Sequence, residues 1–581
     1  MRYPTLPSKP VSRETVEVFG GYNRSLRIGD GELADMKNLT SDFYPVISPR
    51  GKRGVYAQAT NPGGLIAKDS ICYVDGTDFV MNEYPVNLGL TVGEKQLVSM
   101  GAYVIILPDR KWINTLDITQ HGDIDAEFST TTDVAFSLSS ASGDAYRDVT
   151  TSDTEPKNPS NMDLWLDTSS TPHSLKQYSA SAGLWVSMAT TYVKISATGI
   201  GSAFEQYDGV EISGIVEEHA KILNGFATVW AKGDDFLVIT GLLDRATTQL
   251  AAEGAVTVAR KMPSMDYVVE AGNRLWGCRY GISANGKVVN ELYASKLGDF
   301  KNWNCFMGIS TDSWAAQVGT DGPFTGAVTH LGYPLFFKEN VLHKVYINDS
   351  GAHAIQDTAC RGVQRGCHKS LAIVNETLYY KSRGGICAYD GSLPDEVSQA
   401  FGTESYSEAV GGAHGNKYYV SMKDSKENWH LFLLDTQKGM WHREDGFQAA
   451  DFCSCRGEMY AIDKNSKKVV TMLGSGETDT RPVEWMAQTG KIGMHTPDRK
   501  YVFRLDIRVQ PELGAILHIY AQYDRDSSWV QICTVHGAGL QSFSIPVRPR
   551  RCDHMSLRFE GIGDTKIFSI TKMYEQGSDR S

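Results

Sequence analysis

The stretch AIVNETLYYKSRGGICAYDG, residues 372–391, constrains this chain most. A short apolar strand beginning at Leu371 meets a turn at Asn375 and Glu376, a second strand follows from Leu378, and after Gly384 and Gly385 a third strand ends on an aromatic residue before Asp390 and Gly391. Alternating apolar and polar residues in short runs, punctuated by Asn, Gly and Asp, are what hairpins with one buried face require. A single meander of this kind has nothing to cover its apolar face, so it has to recur.

The same pattern of strand, turn and aromatic strand starts again at Leu65, Val98, Val268, Val328, Ala413 and Phe452, which with Ala372 makes about seven copies. From Val328 onward the starts are roughly 40 residues apart, the period of four-stranded propeller blades. The expected fold class is therefore all-β: a β-propeller of about seven blades with an inserted region of small β-modules and a C-terminal β-sandwich. The copies share residue types and carry no Trp-Asp dipeptide, kelch pair or Asp-box; STDSW at 310–314 lacks the glycine of the last.

Composition agrees with many strands and many turns: 10% aromatic residues, 56 Gly and 27 Tyr in 581 residues, and no sustained 3.6-residue period. A net charge of -11 argues against a protein that grips nucleic-acid phosphates, yet suits a surface past which a polyanion moves without sticking. The opening MRYPTLPSKP reads as an extended arm without the apolar core of a signal peptide, and no run reaches the ~20 apolar residues of a membrane helix. The ten cysteines are scattered and several sit in apolar strands (Cys72, Cys278, Cys387, Cys533), as small buried hydrophobes do. Cys453 and Cys455 share a strand face but have no further ligands nearby, so no metal site is expected.

Four segments follow from the spacing: an N-terminal arm and first blades over 1–115, inserted β-modules over 116–262, the remaining blades over 263–474, and a sandwich over 475–581. A strand within ETVEVFGGY, residues 14–22, is expected to close the ring by pairing with the last blade. Leu33, Met36 and Leu39 permit one helical turn, and Asp30, Glu32 and Asp35 beside them read as a solvated loop or, less simply, a cation site. The insertion is inferred because about 170 positions separate the starts at Val98 and Val268 where one blade needs roughly 40. Within it, residues 153–195 form an aromatic-rich module similar to β-modules of phage tail and fibre proteins and to some carbohydrate-binding modules. Trp165, Tyr178, Trp185 and Tyr192 there either stack on sugars or serve as the core that so short a module needs.

The sandwich is read from seven alternating runs between 484 and 572. YDRDSSW at 523–529 has Trp529 and Val535 where a calcium loop needs Gly and Glu, so it is expected to be a hairpin turn. Arg548, Arg550, Arg551 and Arg558 form a basic cluster that suits a solvated edge paired with Asp553 and Glu560, a contact between subunits, or a nucleic-acid patch.

Catalytic signatures are missing: no Gly-x-Ser-x-Gly elbow, His-Glu-x-x-His, phosphate loop or dinucleotide fingerprint occurs. Cys367 and His368 are adjacent and on a strand would face opposite ways. Paired carboxylates of the glycosidase kind have no sequence spacing and stay open. The expectation is of a chain that is not an enzyme and needs no cofactor.

Residues 31–54, GELADMKNLTSDFYPVISPRGKRG, resemble the opening segment of propeller-containing tail proteins of short-tailed bacteriophages, the stabilization, hub or nozzle proteins. Weaker likeness continues in NRLWGCRY (273–280), ASKLGDFKNWN (294–304), GTDGPFTGAV (319–328), PLFFKEN (334–340) and the segment 546–570. The resemblance implies a structural virion protein, made in the bacterial cytoplasm, that forms a ring of about six copies around the DNA-ejection conduit. Its partners would be portal or adaptor and other tail or fibre proteins, with DNA passing without sequence-specific binding. The alternative is a receptor-binding or glycan-degrading protein that acts on host surface polysaccharide.

Overall fold

The computed structural model describes residues 11–283, 285–349, 351–478, 481–493 and 499–576. The chain is all-β, and among the described residues the only helical pieces are four single 3-10 turns. The expected N-terminal arm, residues 1–10, lies outside the described residues. No helix of the described residues is long and apolar enough to cross a membrane.

Seven antiparallel meanders recur along the chain. Their first strands are Pro62–Ala67, Gln96–Met100, Tyr267–Ala271, Gly326–His330, Ala372–Val374, Tyr406–His414 and Ala449–Cys455, and each contains one of the starts read from the sequence. These strands touch in order. Pro62–Ala67 lies against Gln96–Met100, the latter against Tyr267–Ala271, and that against Gly326–His330, which meets the turn His368–Ser370 leading into the fifth sheet. Ala372–Val374 lies against Tyr406–His414, which packs on Ala449–Cys455, and this strand in turn packs on Pro62–Ala67. Apolar clusters fill the gaps between neighbouring sheets. Val74, Phe79, Val104 and Ile113 lie between the first two, and Leu433, Phe452 and Met459 between the sixth and seventh. Each meander thus covers its neighbour's apolar face, since a lone sheet would leave that face in water.

The seventh sheet is completed by Gly54–Gln58, which pairs antiparallel with Lys468–Thr471. The strand expected for this role, within residues 14–22, does something else. Val11–Val16 pairs antiparallel with Thr565–Gln576 and so belongs to a C-terminal sheet. The difference has a physical cause: Val11–Val16 alternates exposed and half-buried residues and suits a sheet edge, whereas the core of the seventh sheet accepts the better-covered Gly54–Gln58. The helical turn expected at Leu33 to Leu39 is also replaced. Leu33–Lys37 is a strand paired with Glu484–Thr489, with a bulge that lets both Leu33 and Met36 point into the core, where they are 2% and 0% exposed.

The C-terminal part consists of two sheets face to face. One contains Val11–Val16, Thr565–Gln576, Lys500–Pro511 and Gln541–Cys552; the other contains Leu33–Lys37, Glu484–Thr489, Met555–Ile562, Ile516–Tyr523 and Val530–His536. Inward residues such as Leu505, Ile507, Leu517, Ile519, Leu557 and Phe559 alternate with outward ones and join one core with the fourth to sixth meanders. YDRDSSW forms the hairpin between Ile516–Tyr523 and Val530–His536, where Asp524 Oδ1 accepts hydrogen bonds from the Asp553 and His554 amides.

The insertion opens later than position 116, because His121–Asp123 is still the fourth strand of the second meander. Its outer parts combine into one eight-stranded sheet that begins with Ala126–Ser129 beside Thr257–Arg260. Between two of its strands, Val134–Ser139 and Tyr192–Ser196, a separate four-stranded sheet is spliced in: Val149–Ser152, Leu164–Asp167, Ser174–Ser179 and Leu184–Ser187. A buried ion pair, Arg260 to Asp208 at 2.5 Å, braces the larger sheet internally, and the Gly209 amide donating to Asn302 Oδ1 at 2.7 Å ties that sheet to the third meander.

Candidate active site

A cavity of about 580 Å³ opens where the first strands of the meanders begin. Leu65, Gln96, Tyr267, Ala327, His368 and Asp451 each reach it from a different sheet or from the turn before one. Its position follows from the fold: the first strands are the ones in mutual contact, so the residues that start them converge at one place. Gln96 clamps two of these strands, with Nε2 donating to the Val268 carbonyl at 2.7 Å and Oε1 accepting from the Val268 amide at 3.2 Å. In the wall, Lys95 and Asp109 form a buried ion pair at 2.6 Å, and Arg110 is held by Asp125 at 2.8 Å and Ser264 at 3.0 Å.

Two carboxylates face each other across Lys369. The Lys369 ammonium lies 3.0 Å from Glu94 Oε1 and 3.9 Å from Asp451 Oδ2, which places those two oxygens within about 7 Å of each other, the scale at which carboxylates flank a glycosidic bond. The Ala450 carbonyl accepts a further hydrogen bond from Lys369 at 3.0 Å and fixes the ammonium. Glu94 stands at the mouth, 61% exposed, whereas Asp451 is 20% exposed and accepts hydrogen bonds from the Leu65 and Phe452 amides at 3.0 Å each.

The surroundings push the two carboxyls apart. The hydrogen bond from His368, joined by the Lys369 charge and hydrogen bond, outweighs burial and holds the Glu94 pKa down at about 2, so it is ionised at neutral pH. Burial raises that of Asp451, and Lys369 only partly opposes it. Asp266, whose side chain accepts from the Tyr280 amide at 2.8 Å, is also raised by burial. One carboxyl that stays ionised next to one that keeps its proton to higher pH is the division of labour that acid and base catalysis requires.

Of these residues only His368 is singled out in the sequence, beside Cys367. Glu94 lies just before a meander start and Asp451 inside AADFCSC, so only their place relative to the recurring strands carried a signal. Cys367 and His368 are not on a strand: the 3-10 turn His368–Ser370 directs the imidazole to the cavity, while the buried Cys367 thiol donates to the Ser407 carbonyl.

The four aromatic residues singled out in the insertion do not form one group. Trp165, Tyr178 and Trp185 pack edge to face, with centroids 5.5 and 5.4 Å apart, and Trp165 is buried with its indole N–H donating to the Ser152 carbonyl. Tyr192 belongs to the eight-stranded sheet and packs on Trp230. Expectation placed it in the small module, whose last strand ends at Ser187.

In the sandwich, Arg550 pairs with Asp526 at 2.5 Å and Arg558 with Glu560 at 3.4 Å over the Trp529 ring, Arg551 is exposed, and Arg548 has a side chain outside the described residues. Asp30, Glu32 and Asp35 diverge: Asp30 faces Lys572, Glu32 accepts from Asn23 and the Gly29 amide, and Asp35 pairs with Arg443.

No protein-family model matches the chain, and no curated protein matches it. Solved structures similar to it include an exo-β-1,3-galactanase from Phanerochaete chrysosporium with galactose, at 8% identity and TM-score 0.20 over 52% of this chain and 94% of that one. An engineered GH43 glycoside hydrolase with endo-xylanase and exo-arabinofuranosidase activity has 9% identity and TM-score 0.19, over 54% and 97%. A Trypanosoma rangeli sialidase has 7% identity and TM-score 0.19, over 91% and 96%. These neighbours are carbohydrate-active enzymes and none of them is a virion part. They run against the expectation that the chain is not an enzyme and lend no support to its description as a structural phage tail, nozzle or stabilization protein, and neither is carried forward. At such identity and TM-score they say nothing of residues or substrate, which rest on the side chains of this chain.

Proposed function

We propose that the chain is a seven-bladed β-propeller, closed by Gly54–Gln58, that hydrolyses a polysaccharide in its axial cavity, with Asp451 as general acid and Glu94 as the ionised carboxylate. The observation that carries this reading is the pair of carboxyls flanking Lys369 within about 7 Å in a cavity large enough for a sugar unit. Asp451, held among buried groups, donates a proton to the departing glycosidic oxygen, and Glu94 serves the anomeric carbon, by activating water or by direct attack. Lys369 keeps Glu94 ionised and oriented. The other use of such a cluster is purely structural, as an ion-pair network that ties the second, fifth and seventh blades.

The test is release of reducing ends from a panel of bacterial surface and plant polysaccharides. Glu94→Gln and Asp451→Asn are each expected to lower the rate by a factor on the order of 10² or more with the thermal unfolding profile retained. Absence of cleavage across the panel, or full activity in both variants, overturns the reading.

A further inference from the structure

A second cavity, about 400 Å³, adjoins the first and shares Glu94, His368 and Lys369 with it. Its other wall brings together Trp429, Glu408, Lys464 and Lys467. Trp429 begins the strand Trp429–Asp435 and is half-buried. Lys464 and Lys467 lie in the turn between Glu458–Asp463 and Lys468–Thr471, both exposed, and neither ammonium forms an ion pair among the described residues. Of the nearby carboxylates, Glu408 is engaged by Lys423 at 2.5 Å, and Asp463 accepts from the Asn465 amide and the Ser466 hydroxyl within the turn without an ion pair to either lysine among the described residues. On a chain of net charge -11, this wall therefore presents two uncompensated positive charges beside an indole.

We propose that this second cavity is a subsite for an acidic sugar unit, whose ring packs on Trp429 and whose carboxylate or sulfate is bound by Lys464 and Lys467. The inference rests on the polysaccharide-hydrolase reading and adds the substrate class: an anionic polymer whose scissile bond lies at Glu94 and Asp451 while the adjacent unit occupies the second cavity. An indole offers an apolar face to the C–H face of a pyranose, and its quadrupole leaves the ring's acidic group to the ammonium groups. A structural role for the two lysines is not needed, because exposed turn lysines without partners contribute little to stability.

Titration calorimetry on the full chain with Glu94→Gln, so that ligand is not consumed, tests the subsite. The probes are an oligogalacturonate, a sulfated galacto-oligosaccharide and a neutral galacto-oligosaccharide of equal length. At least one acidic probe is expected to bind on the order of tenfold or more tighter than the neutral one, with the preference weakened by salt and erased by the added pair Lys464→Gln and Lys467→Gln. Trp429→Ala is expected to weaken acidic and neutral probes alike. The acidic arms separate carboxylate from sulfate. Equal binding of all three probes, no binding of any at millimolar concentration, or a preference that survives the double lysine change overturns the subsite. Glu94-dependent cleavage of neutral polymers without acidic preference would sink the subsite and leave the hydrolase reading standing; acidic binding without cleavage of any polymer would do the reverse.

Discussion

His368 Nε2 stands 3.6 Å from Glu94 Oε1 while the same imidazole packs at a tilt on the Tyr267 ring, 5.1 Å between centroids. A side chain from the turn before the fifth sheet is thereby held between the loop before the second sheet and the first strand of the third. On the hydrolase reading proposed above, this contact sets the acidic limb of the pH profile.

With His368 beside it, Glu94 loses its proton near pH 2 instead of its ordinary 4.5. Because the folded-state pKa is lowered, the stability contributed by ionised Glu94 is complete above 4.5 and is lost as pH falls toward 2. His368→Gln is expected to raise the Glu94 pKa and move the acidic limb of the kcat/KM profile upward, toward the ordinary carboxylate value. Initial rates between pH 2.5 and 6 check this. Superimposable wild-type and variant profiles would show that Glu94 is not the group titrating.

Arg53 anchors the segment that leads into the closing strand Gly54–Gln58. Its guanidinium donates to both oxygens of Asp445, at 2.9 and 3.1 Å, and to Glu444 at 2.6 Å, over the face of Phe447. Burial alone would raise the Asp445 pKa, but the charge and hydrogen bonds of Arg53 together with the Arg50 charge outweigh it and hold the carboxyl below its ordinary value. Removing it leaves Glu444 and Asp445 with Arg50 alone, 3.3 Å from each, so Arg53→Ala is expected to cost up to about 3–5 kcal/mol. Urea unfolding measures the loss, and a change below about 1 kcal/mol would mean that the pairing of Gly54–Gln58 with Lys468–Thr471 does not depend on this anchor.

The recurring meanders were legible because each needs a two-residue alternation and a turn, and both are local properties of sequence. Residues 372–391 announce their own fold, and so do the seven alternating runs of the sandwich. Long-range pairing was not legible. Val11–Val16 and Gly54–Gln58 are both short strands near the N-terminus, and the burial that separates them shows only once the distant partners Thr565–Gln576 and Lys468–Thr471 are in place. Leu33–Lys37 looked helical because a bulge sets its buried residues three apart. The site was the least visible part. Glu94, the adjacent His368 and Lys369, and Asp451 come from three separated stretches, and their meeting is produced by the contacts among the first strands and not by any spacing along the chain.

Trp165 is the centre of the small inserted sheet, with Trp185 edge-on to it and Lys176 over its face at 4.7 Å. Its neighbours occupy both the ring's edge and its face, so it acts as core and not as a platform for sugar. Trp165→Ala is expected to destabilise this module by about 3–5 kcal/mol, in line with loss of a buried indole. Hydrogen exchange should register the loss in Val149–Ser152, Leu164–Asp167 and Ser174–Ser179, with cleavage in the axial cavity unchanged. Retained protection there, with loss of binding to a glycan array, would assign the cluster to sugar recognition instead.

Lys369 separates the two limbs of the pH profile from each other. Its charge acts on both carboxyls, 3.0 Å from Glu94 and 3.9 Å from Asp451, whereas His368 lies beside Glu94 alone among the pair. Burial already raises the Asp451 pKa, and Lys369 is the leading influence that opposes it. Lys369→Met removes that opposition, so Asp451 keeps its proton to still higher pH, and Glu94 loses one of the cations that keep it ionised. Both limbs of kcat/KM are therefore expected to move to higher pH in Lys369→Met, while only the acidic limb moves in His368→Gln. An alkaline limb that stays in place when Lys369 is changed would mean that the general acid is a different group, and Asp266, also raised by burial at the same cavity, would be the next to replace with Asn.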